Sequence, residues 1–414
     1  MKKFNKGLVA CTVAAALAAP MTAMATNGYF SHGYGTKSKG MAGAGVATSQ
    51  SSMSTATNPA LMQAQAGRID FGIEYFQPNR TGTTRSDNTS YTGDGDASFL
   101  IPEFGYSSKI GSDKSWGIVV YGNGGMNTRY SSIAQYNGGN GKDVGMNMEQ
   151  LFIAPTFAMD INDKSSFGVS LNLIYQTFEA YGLEGFAGFT SNSATTTYLT
   201  GMGKDDSTGF SVKLGYQADV TDQLSLGIAY QTKSDMSKFS QYKELFAEGG
   251  GFDIPSNWTV GLTFKATPKV KVLFDIQKIN YSDVASIANK NNNTMGVLGA
   301  DNGRGFGWED MTIYKLGADF AVNDTLVVRA GYSTGTQPIG ADDTAFNLIA
   351  PAVIEDHITL GATWTLKDKS ELSAYLMKAL ENEVIGNSTT PGTSGAADIK
   401  MDQTALGVAY GWKF

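Results

Sequence analysis

Trp258, Val260, Leu262 and Phe264 alternate along the chain with Thr259, Gly261, Thr263 and Lys265. The same period of two sets Phe210, Val212, Leu214 and Tyr216 against Ser211, Lys213, Gly215 and Gln217. It recurs as Leu224, Leu226, Ile228 and Tyr230 against Gln223, Ser225, Gly227 and Ala229. Such alternation predicts strands with one apolar and one polar or small face. Fourteen segments read this way, near 67–77, 98–109, 114–122, 147–160, 165–178, 207–220, 223–235, 255–266, 269–281, 308–321, 325–335, 353–366, 370–381 and 401–414. A soluble sandwich would alternate as well, but its polar faces would look outward and its core faces would need a partner sheet. The connections separate the two cases. Short turns such as Thr221-Asp222, Thr267-Pro268 and Asn323-Asp324 alternate strictly with long loops, and an even strand number returns both ends to the short-turn rim. That asymmetry predicts an all-β, 14-stranded antiparallel transmembrane β-barrel, domain 67–414.

The two ends add to this. In the last segment, Leu406, Val408, Tyr410, Trp412 share one face and the chain stops at the aromatic Phe414. The first 25 residues carry a basic start (Lys2, Lys3, Lys6), an apolar run from Leu8 to Ala19 and the small residues Ala23 and Ala25 around Met24. This is the layout of a cleaved secretory leader, residues 1–25. The LVAC stretch at 8–11 resembles a lipoprotein box, but too few apolar residues precede Cys11 for a membrane-crossing core. Between leader and first strand, residues 26–66 are small, polar and glycine-rich and do not alternate. A barrel of fourteen strands encloses more room than side chains fill, so this segment is the candidate plug of the lumen.

Composition narrows the chemistry. The 31 Lys and Arg residues are outnumbered by 38 Asp and Glu, which argues against a nucleic-acid partner. Cys11 is the single cysteine and falls in the leader, so disulfides and cysteine metal sites are excluded from the remainder. With 50 glycines, 22 phenylalanines and 19 tyrosines, the chain suits many strands joined by tight turns. No apolar run after the leader approaches the length of a transmembrane helix.

Several motifs, in order along the chain, resemble those of the FadL/TodX family of outer-membrane transporters for hydrophobic compounds. They are NGYFSHGYGTKSKGMAGAGVA from residue 27, NPA at 58–60 within TNPALM, GWED at 307–310, VRAGY at 328–332, DHITLGATW at 356–364, and the aromatic end. The resemblance implies a barrel with an N-terminal hatch in its lumen. It implies a hydrophobic ligand, a long-chain fatty acid first and an aromatic or aliphatic hydrocarbon second, caught between extracellular loops. That ligand would pass to a pocket beside the hatch and leave sideways into the membrane at an inward kink of the third strand. Asn58, Pro59 and Ala60 would then form the hatch tip that closes the path.

Gly122, Asn123, Gly124 and Gly125 end the third strand where that kink would fall, and glycines favour a bulge there. Leu183, Phe186, Phe189, Leu245, Phe246 and Phe252 in two long loops are candidates for a capture groove. Lys213, Lys265, Lys271, Lys315, Arg329 and Lys413 are expected to face inward, most of them pairing with Asp219, Asp275 and Asp319; Lys315 and Arg329 are candidates for a ligand carboxylate. Tyr410, Trp412 and Phe414 resemble the signal read by the barrel-assembly machinery. The expected surroundings are outer-membrane lipid and lipopolysaccharide, with a monomeric chain, no cofactor and no metal. An enzyme in the barrel would need a nucleophile, base and acid together, and the two histidines, His32 and His357, have no serine and acid that the sequence places beside them. A general porin for polar solutes would begin its first strand near the mature end rather than after forty residues of plug.

Overall fold

The protein is described here by a computed structural model covering residues 26–95, 98–191, 196–291, 296–390 and 393–414. The candidate leader, residues 1–25, lies outside them. The barrel strands are β1 (Arg68–Thr84), β2 (Phe99–Ile110), β3 (Lys114–Tyr130), β4 (Val144–Asn162), β5 (Ser165–Tyr181), β6 (Asp205–Asp219) and β7 (Leu224–Gln231). They continue with β8 (Asn257–Thr267), β9 (Val270–Ile279), β10 (Met311–Asn323), β11 (Leu326–Gly335), β12 (His357–Thr365), β13 (Glu371–Val384) and β14 (Ala397–Lys413). Two short strands, Thr89–Thr92 and Asp235–Met236, add to β1 and β6 in the loops. Each barrel strand pairs antiparallel with the next, and β14 closes on β1 from Arg68↔Lys413 to Thr84↔Ala397. The result is a closed fourteen-stranded barrel with both strand ends on the short-turn rim.

Closure leaves the side-chain alternation to decide what faces where. Outward positions such as Leu226, Ile228, Leu316, Leu360 and Leu406 are exposed, whereas inward Ser170, Asn172, Gln231, Asp275 and Gln403 are buried. This inversion of the soluble pattern is the one a lipid-facing wall requires. Trp116, Tyr216, Trp364 and Tyr410 lie toward the short-turn ends of their strands, Tyr175, Tyr314 and Tyr332 toward the loop ends, giving an aromatic girdle at each interface. Several strands run further than the alternation predicts: β1 continues to Thr84 and β3 to Tyr130, and β14 begins at Ala397. On β1 the outward residues there are Gln77, Asn79, Thr81 and Thr83, so the apolar signal stops while the hydrogen-bond ladder goes on.

Residues 26–66 fill the lower lumen as short helices, Thr36–Lys39 and Ser54–Thr57, and a 3-10 turn, Pro59–Gln65, joined by glycine turns. Its backbone lies directly on the wall because the wall offers inward glycines. A Cβ on Gly215 would fall 2.0 Å from Asn58 Oδ1, and one on Gly227 2.2 Å from the Val46 carbonyl oxygen. A Cβ on Gly168 would likewise fall 2.4 Å from the Pro59 backbone, and one on Gly331 2.2 Å from that of Met41. Wall carboxylates satisfy hatch N–H groups that have no helix or sheet of their own. Glu103 accepts from Gly35 and Thr36, Asp275 from Gly45 and Val46, and Asp70 from Ser52. Lys37 pairs with Glu371, Lys39 with Glu74, and Arg68 joins Asp70 to Glu371.

The close approach is testable. Gly215→Val should cost the hatch about 1–3 kcal/mol through overpacking while leaving the strand ladder intact. Raised single-channel conductance with unchanged heat-modifiable barrel mobility on gels would be the expected outcome; unchanged conductance would show that the hatch does not depend on this contact.

Candidate functional site

The β2–β3 ladder runs from Ile110↔Lys114 to Phe104↔Val120 and stops there. Above it β2 pairs only with β1, and β3 only with β4. Within β3 the register against β4 shifts between Gly122 and Gly124, so that Asn123 is the extra residue of a bulge. The edge of β3 left free is taken by the hatch. Ser31 N–H donates to the Asn123 carbonyl, Gly125 N–H donates to the Tyr29 carbonyl, and Phe30 bridges to Gly124. A Cβ on Gly124 would stand 1.7 Å from that Tyr29 oxygen, so only glycine permits the approach. Asn123 donates to Gln150 and accepts from the Tyr34 hydroxyl at 2.7 Å. Higher up, Arg80 reaches from β1 to the Asn127 carbonyl and Asp94, and residues 93–95 pair with Arg129. The seam between β2 and β3 is thus framed below by a ladder and above by a buried guanidinium.

Behind this seam lies an apolar interior. Met126, Met146, Met148, Phe152 and Phe178 of the wall form one buried cluster with Tyr29 and Phe30 of the hatch and with Tyr281 and Trp308 of the loop 280–310. The cluster continues upward into Phe239, Tyr242, Leu245, Phe246 and Phe252. Tyr281 is its hinge with the hatch: its hydroxyl accepts from Tyr29 N–H at 3.1 Å and donates to the Asn27 carbonyl at 2.6 Å. Trp308, the tryptophan of GWED, packs edge-on against Tyr281 at 5.1 Å and donates its indole N–H to Asn347. Methionines and tilted rings give this interior a surface that adapts to unlike apolar shapes.

Next to the hatch is a smaller polar cavity bordered by Ser31, Tyr34, Thr57, Gln231, Asn257, Gln277, Lys213 and Lys315. Both ammonium groups are buried, and both donate to hatch carbonyls: Lys213 to Ala56 at 2.6 Å and Lys315 to His32 at 2.9 Å. Pairing with strand carboxylates, expected from the sequence, is replaced here by the hatch backbone, while Asp275 is occupied by hatch N–H groups. Arg329 is buried elsewhere, donating to Thr363. Lys271 stands 3.9 Å from Asp319 and is half exposed; Lys265 and Lys413 are exposed near the short-turn rim.

The loop residues divide. Leu183, Leu245, Phe246 and Phe252 are buried within the apolar cluster. Phe186 and Phe189 instead line a cavity open to the loop surface with Tyr136, Asn291 and Arg304, whose guanidinium lies 4.4 Å from the Phe189 ring centre. Asn58, Pro59 and Ala60 are buried against Gly168 and Gly215, with Asn58 donating to the Val46 and Tyr216 carbonyls and capping Ala60 N–H. His32 stacks on His357 at 5.7 Å, and His357 Nδ1 lies 3.2 Å from Ser333 Oγ. No carboxylate completes a triad, since His357 Nε2 has no hydrogen-bond partner among the described residues. Burial, with His357, Lys39 and Lys315 alongside, holds the His32 imidazole well below its ordinary range. Tyr410 and Phe414 are exposed on the outer face, and Trp412 stacks on Phe71. The alternation in the sequence gave no sign of Tyr281, Glu103, Glu74 or Arg80 as site residues, because each acts through a partner distant in sequence.

A plugged outer-membrane barrel with an apolar lumen and an unpaired wall seam defines a class of channel for hydrophobic compounds. The profile of the outer membrane protein transport protein family (OMPP1/FadL/TodX) matches residues 14–414, and the chain belongs to that family. It is an outer-membrane β-barrel of the kind that transports hydrophobic compounds. Among solved structures, the Pseudomonas putida toluene transporter TodX matches with 18% identity and a TM-score of 0.71, over 92% of this chain and 99% of that one. The Ralstonia pickettii toluene transporter TbuX matches with 17% identity and TM-score 0.69 over 92% and 99%. A Pseudomonas aeruginosa FadL homologue matches with 15% identity and TM-score 0.70 over 94% and 100%. At these identities the likeness is one of fold. No curated protein sequence matches the chain.

Removing the Tyr281 hydroxyl should free residues 26–31 before anything else. Tyr281→Phe is expected to weaken that segment by about 1–2 kcal/mol, visible as faster hydrogen exchange there with unchanged exchange in the strands. A second expectation concerns acid. The folded value of His32 lies below its ordinary 6.5, so its contribution is complete above that pH and is lost as pH falls beneath it. Hatch protection from exchange should therefore drop between about pH 6.5 and 5, and His32→Gln should reduce the drop; protection independent of pH would exclude a buried neutral imidazole.

Proposed function

We propose that this protein carries hydrophobic small molecules, long-chain fatty acids foremost, across the outer membrane by passive diffusion, with release sideways into the bilayer. The observation that carries the reading is the continuity of the buried apolar cluster from the loops to the unpaired β2–β3 seam. An apolar solute gains nothing from a water-filled pore and loses about 0.8 kcal/mol for each methylene returned to water, so a dry path that ends in hydrocarbon matches its chemistry. Phe186 and Phe189 offer the first contact at the loop surface, and the aromatic ring of residues around Tyr281 leads onward. Residues 26–66 act as the hatch, with Asn58, Pro59 and Ala60 anchoring it and Gly122, Asn123, Gly124 and Gly125 forming the kink at the exit. The leader at 1–25 directs export, and Tyr410, Trp412 and Phe414 serve as the assembly signal.

Support for a fatty acid over a hydrocarbon comes from Lys213 and Lys315. Two buried ammonium groups face one cavity beside the hatch, and neither forms an ion pair among the described residues. A carboxylate would serve them better than a hydrocarbon. The alternative, an aromatic hydrocarbon channel, is favoured by the apolar cluster alone, which makes no demand for a charged head.

Cells lacking their own transporter, supplied with this protein, should take up labelled oleate, with labelled toluene and a sugar run in parallel. The double variant Lys213→Met, Lys315→Met is expected to lower oleate uptake by about tenfold, the equivalent of one charge-assisted hydrogen bond, and to leave toluene unaffected. Toluene uptake alone would assign a hydrocarbon channel; sugar uptake alone would refute the hydrophobic path. Deleting Asn58 to Ala60 should reduce uptake in correctly inserted barrels.

A further inference from the structure

An open seam in a membrane wall is costly, because an unpaired backbone N–H facing hydrocarbon has no water to turn to. The strand prolines bear on how this wall manages it. Pro102 stands inside the β1–β2 ladder, opposite Ile73 and between the pairs Phe71↔Phe104 and Tyr75↔Leu100. A proline keeps such a place only where its nitrogen, which lacks a hydrogen, faces away from that partner. The nitrogen of Pro102 therefore faces β3, and the β2–β3 ladder ends one pair short of it, at Phe104↔Val120 on the same face. Pro78 is held against Gln403 of β14, so its nitrogen faces the β2 side, where pairing with β1 ends at Phe76↔Phe99.

A third proline supplies an internal comparison. Pro155 is held against Ile118 in the β3–β4 ladder. On its other side the β4–β5 ladder lacks pairs between Ile153↔Leu173 and Thr156↔Ser170, then resumes in the same register. One missing donor thus interrupts a ladder that otherwise heals. At Pro102 the ladder does not heal, since β3 shifts register at Asn123 and gives its free edge to residues 29–31 of the hatch.

We propose that Pro102, assisted by Pro78, is a positioning residue for the exit: it deletes from β2 the backbone donor that would zip this strand to β3, and lets the strand edge border the seam without an orphan N–H. The inference rests on the lateral-exit reading and names what keeps that exit open. Asn123 and its glycines bend one side of the seam; Pro102 disarms the other. With alanine at 102, a bare N–H would face the Gly122 region across the seam, and pairing with β3 would be its nearest relief.

The test uses the full-length protein in bilayers, as Pro102→Ala and Pro102→Val, with Pro155→Ala as the comparison. Hydrogen exchange of segments 99–105 and 119–126 should slow several-fold in the Pro102 variants, and oleate uptake should fall several-fold while heat-modifiable barrel mobility stays native. Pro155→Ala should leave uptake unchanged. Native exchange in both segments would overturn the proposal, as would slowed exchange with full uptake, or an equal loss in Pro155→Ala. Were the native protein to take up no hydrophobic compound, the lateral-exit reading would fall, and the exchange data would still decide whether Pro102 holds the seam apart.

Discussion

Everything in this structure depends on the rule that a peptide group in hydrocarbon must find its hydrogen bond within the protein. The rule closes β14 onto β1 and forbids a free edge anywhere along the lipid-facing wall. It then reappears inside the barrel, where the hatch has too little regular structure to satisfy its own backbone. Wall carboxylates take the place of a partner strand there, with Glu103, Asp275 and Asp70 each accepting hatch N–H groups. Even the interruption between β2 and β3 obeys it, since the hatch supplies backbone to the edge of β3 that β2 leaves bare.

The interior is divided by the same economy. The lower lumen is polar and charged because it must hold a glycine-rich segment by directed bonds. The upper lumen, free of that duty, is lined by methionine and aromatic side chains. The apolar surface runs from the loops down to Tyr29 and Phe30 and gives way there to the charged lower half. Ile101 and Tyr121, at the seam between β2 and β3, belong to the same apolar cluster.

The barrel was legible in the sequence because lipid imposes period two on every strand, and runs such as WTVGLTF, Trp258 to Phe264, carry it strongly. Strand ends were less legible where the wall rises past the bilayer and outward residues such as Asn79 and Thr81 turn polar. The bulge at Asn123 left a visible mark in its glycines. The partners of Lys213 and Lys315 left none, because the groups that meet them are backbone carbonyls of Ala56 and His32, and any residue type supplies those. Loop aromatics misled in the other direction: Phe246 and Phe252 look like surface residues in a loop and are buried, since the long loops fold over the barrel mouth and make a core of their own.

The two ways in which residues 26–66 are fastened rank their release. Residues 35–52 are tied by buried charge, Lys37 to Glu371 and Lys39 to Glu74, and to leave they would strand carboxylates in a dry interior. Residues 26–31 are tied only by neutral hydrogen bonds and ring contacts to Tyr281 and Asn123. Local opening follows the weaker fastening. The segment is therefore fastened less like a cork than like a door on a fixed frame: a leaf of six residues held by neutral bonds, and a frame held by buried charge.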